Sequence, residues 1–310
     1  LHSTSRRQRQ MCIRDRLNIA AININHKSMA TYTHYGKQAD VFKHLVLCEV
    51  LQIEKPQIYI ETNSASAIYQ MAHTPEQQYG IYYFLKKARE EKPLRESPYY
   101  KLESTEMAKG NYLGSPALAM NTLAERTSQY LFFDIEKDAL ENIESYAKQV
   151  KLESHIQTCH TDSLEGIIKL LPSLSQASFL HIDPYEIDKK GISGTTYLDV
   201  LIQATQAGMK CLLWYGFMTG NNKIHINQYI VNRLEEENIK EYTCIELIMN
   251  SIRKDTIPCN PGILGSGILA TNLSKEANKA IWDYSNMLVC MYSDTKYKSY
   301  DGRLYRDSIK

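Results

Sequence analysis

The chain has 310 residues, 43% hydrophobic and 23% charged, with 36 basic and 35 acidic side chains giving a formal net charge of +1. That is the composition of an ordinary globular protein and excludes the disordered and fibrous classes. No run approaches the roughly 18 consecutive apolar residues of a membrane-spanning helix, and no secretory pattern opens the chain, so a cytoplasmic, membrane-free and monomeric protein is expected.

The first 28 residues are basic and lack helical or strand periodicity; RQRQMCIRDR resembles a translated cloning adaptor, so residues 1–28 read as a non-native leader with Met29 as the start. A basic nucleic-acid-binding arm is the competing reading. Without that segment 30 basic and 34 acidic side chains remain, a net charge of −4. Any surface that neutralises phosphates must then be local.

Apolar residues recur at helical spacing from Gln38 to Gln52, and Pro56 separates this helix from an apolar strand at Ile58 to Ile60. From Tyr69 to Gly110 the chain turns polar and aromatic, with Pro75, Pro93, Pro98 and a helical stretch from Gln77 to Lys92; this predicts an inserted helical subdomain at about 70–111 within a domain of residues 29–310. Strands follow at 130–134, 155–160, 178–183 and 210–216, alternating with helices at Lys137 to Lys151, Ser163 to Leu171, Thr196 to Ala207 and Ile224 to Asn238. Two last β-like runs, 241–249 and 267–273, are joined by a Pro/Gly-rich connection and read as an antiparallel pair at a sheet edge. The Tyr-rich, basic tail after Cys290 reads as a solvated end, with RNA contact the lesser alternative. Strands alternating with helices predict an α/β protein: a Rossmann-like, mostly parallel sheet with helices on both faces, binding its ligand at the carboxyl ends of the strands.

The seven cysteines form no CxxC and the nine histidines no HxxxH or HExxH, so a structural or catalytic metal is not expected. Phosphate-cradling GxxxxGK[ST] and GxGxxG motifs and a GxSxG elbow are also missing. The informative motif is Asp183-Pro184-Tyr185-Glu186 at the end of a predicted strand. A carboxylate, a proline carbonyl and an aromatic ring there can grip a planar amine-bearing base: Asp183 accepts from the amine, the Pro184 carbonyl accepts again, and Tyr185 stacks. Taken alone, Asp-Pro after a strand is equally a turn initiator. The segment HYGKQADVFKH (34–44) is, taken alone, an amphipathic helix with Lys43 and His44 facing solvent.

Together these segments resemble the RlmJ family. HYGKQADVFKH looks like its signature HAGNxADVxKH, and similarity continues in order through YIET, YLGSP (112–116), Asp134, Thr161-Asp162-Ser163, FLHIDPYE, CLLWYGF, CIEL and GSGILATN. The resemblance implies a class I methyltransferase that uses S-adenosylmethionine to methylate the exocyclic amine of an adenine in 23S ribosomal RNA, its RNA partner. It implies Asp183, Pro184 and Tyr185 as the catalytic set, and His44, Asn63, Ser115, Asp134, Asp162 and Ser163 as cofactor contacts. Asp134 suits the ribose hydroxyls and Asp162 the cofactor's adenine amine. Two departures stand out. The family's DxHAGxGxY appears as Glu61 to Tyr69 with Ala65 and Ala67 in place of glycines, and its DPPYE has lost a proline. These departures open a second reading, a catalytically impaired S-adenosylmethionine- or RNA-binding pseudoenzyme of the same fold. An open cavity beside Asp183 and Asp134 would support catalysis; a loop closed over it would support the pseudoenzyme.

Overall fold

A computed structural model describes residues 34–124, 127–174, 176–249, 263–293 and 304–308, the last segment by its backbone. The expected leader, the start at Met29 and most of the Pro/Gly-rich connection lie outside the described residues.

Helix α1 (Gln38–Glu54) begins where the Lys37 backbone N–H donates to the Asp40 carboxylate at 3.1 Å, satisfying an otherwise unpaired end. It stops at Lys55, which takes a left-handed φ of 43° before Pro56. Strand β1 (Ile58–Thr62) follows, then β2 (Ile68–Gln70), α2 (Tyr83–Ala88), α3 (Lys92–Glu96), α4 (Pro98–Met107), β3 (Asn111–Leu113) and α5 (Ser115–Leu123). The chain continues through β4 (Gln129–Asp134), α6 (Lys137–Gln149), β5 (Ile156–His160), α7 (Ser163–Leu170), β6 (Ser178–Ile182) and α8 (Tyr197–Gln206). It closes with β7 (Lys210–Phe217), α9 (Gly220–Glu236), β8 (Tyr242–Met249), β9 (Gly265–Thr271), α10 (Lys275–Ser293) and β10 (Leu304–Ser308).

Eight strands form one sheet in the order β10-β8-β9-β7-β6-β1-β4-β5. The run β5-β4-β1-β6-β7 is parallel, and β9 lies antiparallel between β7 and β8. This is a Rossmann-like fold, a mostly parallel sheet finished by an antiparallel edge. Strand alternation sends Tyr59, Phe132 and Phe179 toward α1, α5, α6 and α10, and Ile60, Leu131, Phe133, Leu180 and Ile182 toward α7, α8 and α9. Both faces are covered, which explains strands that read as unbroken apolar runs.

Several elements differ from the sequence expectation. The tail contributes a strand, because β10 pairs with β8 from Leu304 opposite Met249 to Ser308 opposite Ile245. Helix α10 packs along α1, and its mixed polar pattern hid it. The insert enters and leaves through the β2-β3 pair, with Ile68 opposite Leu113 and Gln70 opposite Asn111. The helix expected from Gln77 to Lys92 is broken into a short turn at Pro75–Gln77, a π turn at Gln78–Tyr82 and α2. Gly80 leaves helical geometry there (ψ −108°), and a Cβ on it would come within 2.1 Å of the Gly36 carbonyl oxygen. Close backbone approach, not helix propensity, sets that segment. Among the described residues no helix is long and apolar enough to cross a membrane.

On α1, Glu49 is buried toward Tyr284 of α10 and Lys101 of α4. Burial pushes its carboxyl up from 4.5 to about 7, outweighing the Tyr284 hydroxyl and Lys101, which favour the carboxylate. The folded protein therefore keeps a proton that the unfolded chain releases near its ordinary value, and stability falls as pH rises from about 4.5 to about 7. Glu49→Gln is expected to flatten this pH dependence and to gain on the order of 2 kcal/mol at pH 8. Urea denaturation of both proteins at pH 4.5 and 8 checks it; an equal loss in both would reject Glu49 as the source.

Candidate functional site

The carboxyl ends of β4, β1, β6 and β7 lie side by side, and the residues that follow them form the site. On the β6 side, Asp183 donates its backbone N–H to Thr62 Oγ1 at 3.2 Å, which ties it to the end of β1. Its Oδ2 accepts from Lys43 Nζ at 2.7 Å, with the two side chains only 12% and 11% exposed. The same ammonium lies 3.6 Å from Asp40 Oδ1 and sits over the Trp214 ring, 5.2 Å from its centroid. Burial works against the Lys43 charge, but Asp183 and Asp40 outweigh it and raise its pKa, so the ammonium persists as a fixed donor. Asp40 is itself pushed up by burial, with Lys43 opposing.

On the β4 side, Asp134 ends its strand 2% exposed. Its Oδ2 accepts from the Ala65 backbone N–H and its Oδ1 from that of Glu136, both at 2.8 Å. Asn63 and Ala65 hold left-handed backbones at φ 55° and 54°. The Asn63 N–H donates to Ser163 Oγ at 3.1 Å, and the Tyr197 hydroxyl joins both side chains. Asn63 Oδ1 is buried without a hydrogen-bond partner. Farther along the loop, Asn142 Oδ1 of α6 accepts from Ala67 and Ile68 at 2.9 and 3.1 Å. Gly114 lets α5 abut the loop: its N–H donates to the Ala67 carbonyl, and a Cβ on it would lie 2.0 Å from the Ser66 carbonyl oxygen.

Beneath the two clusters is a fully buried polar group. The Tyr59 hydroxyl donates to Glu61 Oε2 at 2.9 Å, and His181 Nδ1 lies 3.2 Å from Glu61 Oε1. Among the described residues, neither His181 Nε2 nor the buried indole Nε1 of Trp214 has a hydrogen-bond partner.

The structure thus brings Asp183, Asn63, Asp134 and Ser163 to one edge. It places the other candidates differently. His44 faces the insert: its Nδ1 meets the Tyr112 hydroxyl at 2.9 Å, its ring packs by Tyr99, and burial together with Lys43 and His181 drives its pKa well down. Lys43 and His44, solvent-facing on a simple amphipathic reading of α1, are both buried, His44 against Tyr99 and Tyr112 and Lys43 against Asp183 and Trp214. Ser115 is buried as the first residue of α5, and Asp162 is exposed, capping α7 through the Leu164 N–H at 2.9 Å. Pro184 is buried, whereas Tyr185 is 55% exposed, its hydroxyl directed to Met218 Sδ at 3.4 Å. The sequence did not single out Lys43, Asp40 or Trp214 as site residues; the available signal was a lysine among the apolar positions of α1.

Neither a family model nor a curated relative matches the chain. Among solved structures, protein LPL1258 of Legionella pneumophila, described by the family model DUF519, is similar at 20% identity and TM-score 0.68, over 89% of this chain and 98% of that one. An O-methyltransferase from Bacillus cereus (8% identity, TM-score 0.42, 87% and 91% covered) and an rRNA methylase from Streptococcus thermophilus (9%, 0.38, 78% and 100%) are looser matches. The likeness to LPL1258 concerns the fold.

Removing one partner of the Lys43–Asp183 pair leaves a buried charge uncompensated. Lys43→Met is expected to destabilise the protein by about 3 kcal/mol, and adding Asp183→Asn to restore much of that. A double-mutant cycle by urea unfolding reads the coupling; additive losses would show that the two side chains do not interact.

Proposed function

We propose that the chain is an S-adenosylmethionine-dependent methyltransferase acting on the exocyclic amine of an adenine in 23S ribosomal RNA. The observation that carries the reading is Asp183. It is a buried carboxylate at the carboxyl end of a central strand, fixed by Thr62 and Lys43, on the same edge as the Asn63–Asp134–Ser163 cluster. The resemblance in HYGKQADVFKH, FLHIDPYE and the segments between them supports the substrate class.

The residues fit the cofactor by their chemistry. Asp134 offers carboxylate oxygens to vicinal hydroxyls, and the orphaned Asn63 Oδ1 is an acceptor suited to an ammonium or amine donor. When bound, S-adenosylmethionine supplies an electrophilic methyl group. Asp183 accepts an N–H of the target amine and so turns the nitrogen lone pair away from itself. Lys43 holds the carboxylate in place during this step, and Asp183 is the nearest acceptor for the proton that the methylated nitrogen sheds. The buried Pro184 adds a backbone carbonyl acceptor.

A second reading, a catalytically impaired S-adenosylmethionine- or RNA-binding protein of the same fold, is favoured by two features. The loop after β1 is closed on Asp134, and Tyr185 is turned outward to Met218. Tyr185 follows Asp183 with one proline fewer than in the family motif.

Isothermal calorimetry with S-adenosylmethionine separates these readings from an unrelated ligand. Binding weakened by about tenfold or more in Asp134→Ala is expected, followed by methyl transfer to ribosomal RNA that drops about 100-fold in Asp183→Asn. Binding without transfer would favour the impaired protein, and no binding would reject catalysis and leave the RNA-binding form or an unrelated ligand.

A further inference from the structure

We propose that the segment from Asn63 to Ser66 is a spring-loaded latch, in which the Ala65 N–H bonds Asp134 and the loop covers the carboxylate that a ribose ligand needs. This rests on the reading of Asp134 as the ribose acceptor.

Three observations carry it. First, Asp134 is 2% exposed, with Oδ2 taken by the Ala65 N–H and Oδ1 by that of Glu136, so hydroxyls reach the carboxylate only if the loop withdraws. Second, the closed form is strained where it makes that bond: Ala65 holds φ 54°, a conformation that glycine adopts freely and alanine does not. Third, the closed form leaves Asn63 Oδ1 buried and unpaired, a polar group that opening would return to solvent or to a ligand. The moving part is bounded. Asn142 grips Ala67 and Ile68, and the Gly114 N–H holds the Ala67 carbonyl, so the loop has a fixed post at its far end, and opening of Asn63 to Ser66 also releases the Ser64 N–H from the Phe133 carbonyl and the Ser66 N–H from the Tyr69 hydroxyl. Opening exchanges the Ala65–Asp134 hydrogen bond for one from the ligand and relaxes Ala65 to negative φ. Latch and ligand therefore compete for the same buried carboxylate, which the closed loop covers, and the alanine biases the balance toward opening.

The sign of a single substitution tests this. If glycine at position 65 merely widened the cavity, Ala65→Gly would tighten ligand binding. A latch requires the reverse, because glycine removes the strain of the closed form and holds the loop shut. In the ligand-free protein, amide exchange at position 65, corrected for intrinsic rates and read by NMR, should be about fivefold slower in Ala65→Gly than in wild type. S-adenosylhomocysteine should bind the variant about fivefold more weakly by calorimetry. In wild type it should speed exchange of the Ala65 amide while leaving the Ala67 and Ile68 amides protected. Equal or faster exchange at position 65 in the variant would overturn the latch, as would equal or tighter binding. If neither protein binds S-adenosylhomocysteine, the methyltransferase reading fails and the exchange rates of the free proteins still decide the latch.

Discussion

The ion pair between Lys43 and Asp183 joins the first helix to the end of β6 across 140 residues of chain, and the site is arranged around it. Two charges withdrawn from water are costly, and the attraction between them offsets that only where the geometry is good and other partners complete the shell. Here Asp40 approaches the ammonium on one side and the Trp214 face on another, while Thr62 accepts the Asp183 backbone N–H. Such a cluster holds a carboxylate at a fixed place and angle at the mouth of the sheet. An apolar core residue at position 43 could cover the same surface, but it could not orient an acceptor.

Beside that rigid half of the edge lies a yielding one. The residues after β1 turn through two left-handed positions and close on Asp134, whereas the residues after β6 are held by side chains from α1 and β7. The division follows from the sheet: β1 lies between β4 and β6, so its following loop can lean toward either neighbour, and the Asp134 carboxylate draws it toward β4. With the loop opening as proposed, a ligand enters on the β4 side without disturbing the acceptor on the other.

Much of this was legible in the sequence, and the parts that were not have physical reasons. The strands ending at Asp134 and Ile182 are unbroken apolar runs, because a parallel sheet is buried on both faces, and their period and spacing gave the layered architecture. Asp183 was visible because a carboxylate, a carbonyl and an aromatic ring follow such a run together, although Asp-Pro alone also starts turns. Lys43 was not, since a lysine in an amphipathic helix normally points to water, and only the tertiary partner Asp183 explains its burial. The sequence marked Ala65 and the shortened stretch before Tyr185 as departures, but local pattern does not tell that Ala65 keeps a left-handed φ or that the Tyr185 hydroxyl meets Met218. The β10 strand and the π turn at Gly80 depend on long-range partners, Ile245 to Met249 in one case and Gly36 in the other.

The pairing of β2 with β3 has a further consequence. The chain departs for the helical excursion at Gln70 and returns at Asn111, two residues that face each other across a hydrogen-bonded ladder. Some forty residues thus leave and return at one clasp, yet Phe84, Leu94 and Tyr99 among them pack into the same core as α1. Since loop closure grows dearer only logarithmically with length, it is this packing, more than the length of the excursion, that ties it to the rest of the fold. The clasp sets where the excursion begins and ends, and the core sets how it lies.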